Sequence, residues 1–403
     1  MTAARTAGAP QGLEEAVEGV LPRALDLSHR VHAAPEIAFE ERRAAEWTAA
    51  LLAEHGFEVT APAGGLETAF VARWPGERPG PVVAFAGEYD ALPEVGHGCG
   101  HNLMCSSSAG AAIAAARVLG REFAGEVRFI GTPAEEAGNG KVHLLAAGVF
   151  DDVDVCLQIH PSDRTNSEIA CLAITEVGVT FRGKLAHASA DPWLGRNALD
   201  AIVLLYTMVA QWRQHLKPGE RVHGIITHGG AAPNIVPDLT TGRWYIRTPV
   251  DADLEPMIER FRHMADAAAA ATGCTVELVE DPTNRCRTML NNATLLSMWR
   301  SNLAAAGWED GPVDPNTGST DMTNVSHAVP TIHPMMAIAP EGTPGHSREF
   351  AEHAGGEGGD RMLPIAIRAL AATAVELIRD PARVEQAWSD LEAQGGAPRR
   401  PRG

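Results

Sequence analysis

Val82-Val83-Ala84-Phe85-Ala86 leads into Gly87-Glu88-Tyr89-Asp90-Ala91-Leu92-Pro93, then Gly96-His97-Gly98-Cys99-Gly100-His101-Asn102, then an Ala-rich run over 106–119; the reading of this stretch decides the fold. Five apolar residues in a row read as a strand buried on both faces, and the Ala-rich run reads as a helix. A buried strand that passes through a glycine-rich loop into a helix is the start of an α/β unit. The rhythm continues on both sides. Residues 68–74, 127–130 and 153–159 read as strands, and 141–147 as a helix. Upstream, apolar positions recur at helical spacing from Leu13 to about His55, interrupted by the turn Ala34-Pro35-Glu36. This alternation predicts an α/β fold: a mainly parallel sheet with helices on both faces.

After Pro161 the pattern changes to strand 173–181, helix 198–215, strands 222–227 and 242–247, helix 254–271 and strand 275–279. That order is βαββαβ, a ferredoxin-like sheet with two helices on one face, and it reads as an inserted domain. Beyond Leu290 long helices and short apolar strands return, including a helix over 363–378. The expected organisation is a discontinuous first domain, 13–170 and 286–390, an inserted domain, 171–285, and tails at 1–12 and 391–403.

The chain has 403 residues, enough for two or three domains with ample buried core. Its 33 Lys and Arg against 51 Asp and Glu give a formal charge of −18, which argues against attraction to nucleic acid or an anionic membrane. No apolar stretch approaches the roughly 20 residues of a bilayer span, and residues 1–12 lack the apolar core of a secretory signal. The expected address is the cytoplasm. There the six cysteines, which form no C-x-x-C pair, are expected to be thiols.

Several residues carry chemistry. Cys99 and His101, two apart in an extended segment, project to one side and could ligate a borderline-soft cation; a glycine-rich turn around a buried thiol is the alternative. In Thr132-Pro133-Ala134-Glu135-Glu136, adjacent side chains in an extended turn diverge, so one glutamate could bind a metal while the other acts as a base; a solvated pair opening a helix is the alternative. Gly138-Asn139-Gly140-Lys141 is no phosphate loop, since Val142 follows the lysine. His160 ends an apolar strand where α/β folds place ligands, and could equally be a core histidine. His346 sits on a Gly/Pro loop, as a ligand or a solvated side chain. Cys99, His101, Glu136, His160 and His346 together suffice for two divalent cations, with Cys99 able to be shared. In the inserted domain His187, Asn234 and Arg247 could grip an oxyanion and a substrate carboxylate; solvated loops and a surface arginine are the alternative.

The runs Gly98-Cys99-Gly100-His101-Asn102, Thr132 to Glu136, Ile159-His160-Pro161, Gly183 to Ala188, Pro233 to Pro237, Gly318-Ser319-Thr320-Asp321 and Gly345-His346-Ser347 resemble, in content and order, the dinuclear metallopeptidase family of aminoacylases and carboxypeptidases (peptidase family M-twenty). The likeness spans about 13–378. It is strongest to the amidohydrolase branch, which includes aminobenzoyl-glutamate hydrolase and a group acting on β-alanyl dipeptides. Where much of the wider family has a bridging Asp, this chain has Cys99. The resemblance implies two divalent ions, Zn or Mn, bridged by Cys99 and completed by His101, Glu136, His160 and His346, with Glu135 as general base for a metal-activated water. It also implies a homodimer built on the inserted dimerisation and lid domain, with His187 reaching the partner's site and Asn234 and Arg247 binding substrate. The expected activity is hydrolysis of the amide bond of an N-acyl amino acid or dipeptide. A catalytically silent metal-binding dimeric scaffold is the alternative.

Overall fold

The computed structural model describes residues 10–313 and 318–400, which form two compact units. The first unit combines Met1–Ala170 with Met289–Gly403, and the second is Cys171–Thr288.

The first unit is organised by a six-stranded sheet in the order Glu58–Thr60, Phe70–Pro75, Ala124–Thr132, Arg78–Glu88, Val155–Leu157, Thr331–Ile332. The three pairings from Ala124–Thr132 across to Thr331–Ile332 are parallel, and the two at the other edge are antiparallel. Side chains alternate across the sheet as a pleated strand requires. Val83 and Phe85 join a core with the helices Leu13–Ala33, His101–Leu119 and Glu357–Arg379, whereas Val82, Ala84 and Ala86 join another with Leu144, Met322 and Val325 from helices on the opposite face. The helix His101–Leu119 is buried at every position from His101 to Ala116. Its sequence explains this: alanines let neighbours approach from all sides, and a hydroxyl such as that of Ser106 bonds back to the carbonyl of Asn102 at 2.7 Å.

Two expectations shift. The strand expected over 153–159 is limited to Val155–Leu157, the residues that pair in parallel with Val83, Ala84 and Phe85 on one side and with Thr331–Ile332 on the other; the chain then forms a second small parallel pair, His160–Ser162 with Met335–Ala337. The expected C-terminal tail also carries structure. A helix runs over Pro381–Ala393 and buries Val384, Ala387, Trp388 and Leu391 at helical spacing; beyond it Arg399 pairs with Asp154 and Glu385, contacts made by charge that leave no apolar periodicity to read. Residues 1–9 and 401–403 of the expected tails lie outside the described residues.

The second unit is an antiparallel four-stranded sheet, Thr275–Glu280, Ala173–Arg182, Leu239–Thr248, Arg221–His228, with the helices Ala198–Trp212 and Asp251–Thr272 packed on its apolar face. Its chain order is the βαββαβ read from the sequence. Backbone hydrogen bonds between Cys286 and Ile174 carry the unit past the expected end at 285 to Thr288. Arg221–His228 is an edge strand in which Ile225 is 63% exposed. Among the described residues no helix is long and apolar enough to cross a membrane.

Candidate metal centre

Parallel strands of the first unit end together, and the loops that follow carry the candidate donors. Gly100 makes their convergence possible. It has a φ of +80°, and a Cβ there would stand 2.8 Å from a ring carbon of Pro161, so glycine lets the Cys99–His101 turn lie directly against the His160–Pro161 turn. Cys99 Sγ is 3.3 Å from His160 Nε2. On the other side, the His346 backbone N–H donates to the Gly98 carbonyl at 2.9 Å and His346 Nε2 lies 3.4 Å from Glu136 Oε1.

Imidazole tautomers follow from hydrogen bonds. His101 Nδ1 lies 2.9 Å from the Asp90 carbonyl oxygen and 3.1 Å from Asp90 Oδ1, so the proton is on Nδ1 and donates to Asp90, and Nε2 is left to bind a cation. His160 does the same through Nδ1 and the Pro161 carbonyl at 2.6 Å, which again leaves Nε2. Burial lowers the His160 pKa to about 4, keeping the ring neutral and able to ligate. Asp90 also holds a second neighbour, since its Oδ2 accepts the Glu136 backbone N–H at 3.0 Å.

Glu135 and Glu136 do not diverge in an extended turn as the sequence suggests. They open a single helical turn, Glu135–Gly138, entered through Ala134 at φ +59°, and both carboxylates come within 4.0 Å of His101 Nε2. The strained entry is held from below. Glu41, fully buried, accepts the Ala134 N–H at 2.8 Å, the Phe39 N–H at 2.9 Å and the Thr68 hydroxyl at 2.9 Å; burial, with Asp90 nearby, raises its pKa to about 7.

The result is two overlapping donor trios, Cys99 with His101 and His160, and Cys99 with Glu136 and His346, each with ligand atoms within 4.8 Å of one another. All five donors expected from the sequence thus meet at one place. The residues fit divalent cations on structural grounds. His101 Nε2 and Glu136 Oε1 are buried without a hydrogen-bond partner among the described residues, and thiol, imidazole and carboxylate form a zinc-type donor set. The proton affinities of the cluster agree with this. Burial, reinforced by Glu136, lifts the Cys99 thiol well above its ordinary range; burial with Glu88 and Glu136 does the same to Glu135. At His101 burial opposes the charged ring, but Cys99 and Asp90 outweigh it and hold its pKa well above the imidazole value. Cation binding at such a site displaces these protons.

Sequence reading missed the buried polar groups that surround the donors: Glu88, Asp90, Lys141, Asp321 and Glu41. Glu88, Asp90 and Asp321 stand in runs already singled out, and a carboxylate within such a run is a usable signal for a supporting role. Lys141 carries no signal beyond a phosphate-loop pattern that fails, and Glu41, on a distant segment, leaves none at all.

In the second unit, His187 and Asn234 are neighbours: His187 bridges Ile235, and Ala188 N–H donates to the Asn234 carbonyl at 3.0 Å. His187 Nδ1 accepts from Ala190 N–H at 3.1 Å, so the proton sits on the exposed Nε2, which is free to donate. Arg247 does not join them. The His187 loop leaves the sheet beside Leu239, and Arg247 is eight residues farther along that strand, about 26 Å away at roughly 3.3 Å per residue. There it is half-buried, with its guanidinium carbon 5.6 Å from the Tyr245 ring centroid and its Nε without a hydrogen-bond partner among the described residues.

Comparison with known proteins gives a consistent result. The family model described as peptidase family M20/M25/M40 matches residues 84–376. The chain is 38% identical to the Xaa-Arg dipeptidase of Mus musculus, over 94% of this chain and 90% of that protein. It is 31% identical to one of the subunits of the p-aminobenzoyl-glutamate hydrolase of Escherichia coli K12, over 91% of this chain and 92% of that one. Among solved structures it shares its fold with a dinuclear metal-binding peptidase of the M20 family from Bacillus subtilis, at a TM-score of 0.68 and 20% identity, covering 90% of this chain and 99% of that one.

Proposed function

Given that the chain belongs to peptidase family M20/M25/M40 and is a metal-dependent hydrolase of amide bonds, we propose that it cleaves dipeptides or N-acyl amino acids at a centre of two divalent ions, Zn or Mn, with Glu135 as general base. The observation that carries this reading is the pair of donor trios sharing Cys99, with Glu135 beside them. Cys99 would be shared by the two ions, and His101, Glu136, His160 and His346 would complete the set that holds them. Held there, the ions would supply polarisation of the scissile carbonyl and a lower pKa, towards about 7, for an attacking water. Glu135 takes the proton from that water and passes it to the leaving amine. It suits this role better than Glu136, whose backbone is tied to Asp90 and whose carboxylate faces His346.

In this reading His187, through Nε2–H, steadies the oxyanion that forms as water adds; Asn234 and Arg247 bind substrate, Arg247 through its carboxylate. About 26 Å of strand separates Arg247 from the other two, too far for one copy of the second unit to grip a small substrate from both places. A homodimer resolves this, with His187 and Asn234 supplied to the partner's centre. Ile225 on the edge strand and Trp193, 73% exposed in the His187 loop, favour such an interface. Cys99 must be a reduced thiolate to ligate, which suits the cytoplasm.

The names of the relatives point to two substrate classes, dipeptides ending in arginine and aminobenzoyl-glutamate. We place the first ahead because that relative is the more similar. Nothing favours the silent scaffold. Turnover on a panel of Xaa-Arg and Xaa-Lys dipeptides, N-acyl amino acids and aminobenzoyl-glutamate, with Zn²⁺ and Mn²⁺ exchanged, tests the reading; no hydrolysis with either metal would overturn it.

A further inference from the structure

Glu88 has no place in the ligand set above, yet it is fully buried at the end of its strand and adjoins that set. Its Oε1 is 2.5 Å from Lys141 Nζ. Lys141 is already engaged by Asp321, through Nζ at 2.6 Å and through its backbone N–H at 2.8 Å. One ammonium therefore lies between two carboxylates, all three with fully buried side chains, and the group carries a surplus negative charge. A buried surplus charge is costly unless a cation meets it.

The surplus is directed at the centre. Glu88 Oε2 stands 3.2 Å from His101 Nε2, the nitrogen left over once Nδ1 has donated to Asp90. A carboxylate oxygen at that distance calls for positive charge at Nε2: a proton in the ion-free protein, and a cation once that proton is displaced and the ring ligates. Donor atoms of Glu88, His101 and Glu135 also fall within 4.8 Å of one another, a third trio that overlaps the first at His101.

We propose that Glu88 is a sixth metal ligand, an anionic oxygen donor to the ion bound by His101, aimed by Lys141 and Asp321. The proposal rests on the dinuclear reading. A mere counter-ion for Lys141 is the competing role, but Asp321 already meets that ammonium, and counter-ion duty does not require Oε2 to face His101. A hard oxygen opposite the soft Cys99 thiolate would also widen the metals this ion position accepts, towards Mn²⁺.

The test uses the full-length protein, stripped and reloaded with Zn²⁺. Wild type is expected to hold two ions per chain by elemental analysis. Glu88→Gln, of the same shape, should bind one ion as before and the other at least about 100-fold more weakly in chelator competition, at or beyond the usual effect of losing a ligand's outer partner. With Co²⁺, the thiolate charge-transfer band from Cys99 should persist while the ligand-field bands shift. Two ions held with unchanged affinity and spectrum by Glu88→Gln would overturn the proposal and leave the dinuclear reading intact. A wild type that holds no ion would sink that reading and the proposal with it. Should the variant fold poorly, the zinc-loaded wild-type crystal structure decides: a Glu88 oxygen at about 2.0–2.2 Å from zinc supports ligation, and one left beyond hydrogen-bond distance refutes it.

Discussion

Asp90 joins two parts of the centre, and Asp90→Asn should separate them. In the native protein one carboxylate oxygen holds His101 Nδ1 at 3.1 Å and the other holds the Glu136 backbone N–H at 3.0 Å. Both neighbours donate, so both positions on residue 90 must accept. An asparagine side chain offers one acceptor and one NH2 group, and whichever way it turns, one N–H faces another. If the amide oxygen stays with Glu136, His101 loses one of its two acceptors and its ring is free to tilt. If it stays with His101, a buried backbone N–H is orphaned, at about 1–3 kcal/mol. Outer partners of metal-bound histidines typically contribute 10–100-fold in metal affinity, roughly 1.4–2.8 kcal/mol, which agrees with the cost of one lost bond. The expected result is a 10–100-fold weaker affinity for one ion in chelator competition, with turnover largely restored at saturating metal. An affinity equal to wild type would show that the Asp90 carboxylate does not hold His101 for a cation, leaving the backbone carbonyl of residue 90 to fix the ring alone.

Glu135→Gln should keep both ions and lower kcat by about 10²–10⁴-fold, as measured with metal content and turnover on the same preparation; undiminished kcat would remove Glu135 as base. Lys141→Met strips the ammonium from between Glu88 and Asp321 and should destabilise the metal-free protein by about 3–5 kcal/mol in urea unfolding. A loss under about 1 kcal/mol would mean that the two carboxylates are not held charged. Ile225→Lys places a charge on the exposed edge strand and should convert a dimer to monomers in sedimentation, with activity falling in parallel. Monomeric wild type at working concentration would refute the shared-site reading.

The fold was legible because its determinants are local. An apolar run such as Val82 to Ala86 has few alternatives to a buried strand, and βαββαβ order in the second unit leaves few topologies. The misreadings came from partners distant in sequence. Residues 153–159 are apolar enough for a longer strand, but pairing with its two neighbours covers only Val155–Leu157, and Arg399 is held by Asp154 through a charge pair with no periodic signature. Donor types were legible too, since cysteine and histidine in glycine-rich loops have few bland roles in combination. Their support was not: Glu41 reaches the Ala134 N–H across 93 residues, and nothing near Glu41 announces it.

The paired glutamates show where residue-level reasoning stops. Divergence in an extended turn would give them separate roles, yet Ala134 at φ +59° sends the chain into a helical turn, and both carboxylates face His101. What divides them is the backbone: Asp90 takes the Glu136 N–H, and His346 approaches its carboxylate, whereas Glu135 lies among Glu88 and Asp321, where burial favours its protonated form. Two identical side chains thus stand in different surroundings, which lets one serve as ligand and the other as base. Exchanging the surroundings should exchange the roles only if backbone anchoring is the cause. Glu136→Gln should therefore cost metal before it costs proton transfer, the reverse of Glu135→Gln, and equal metal loss in both variants would refute the division.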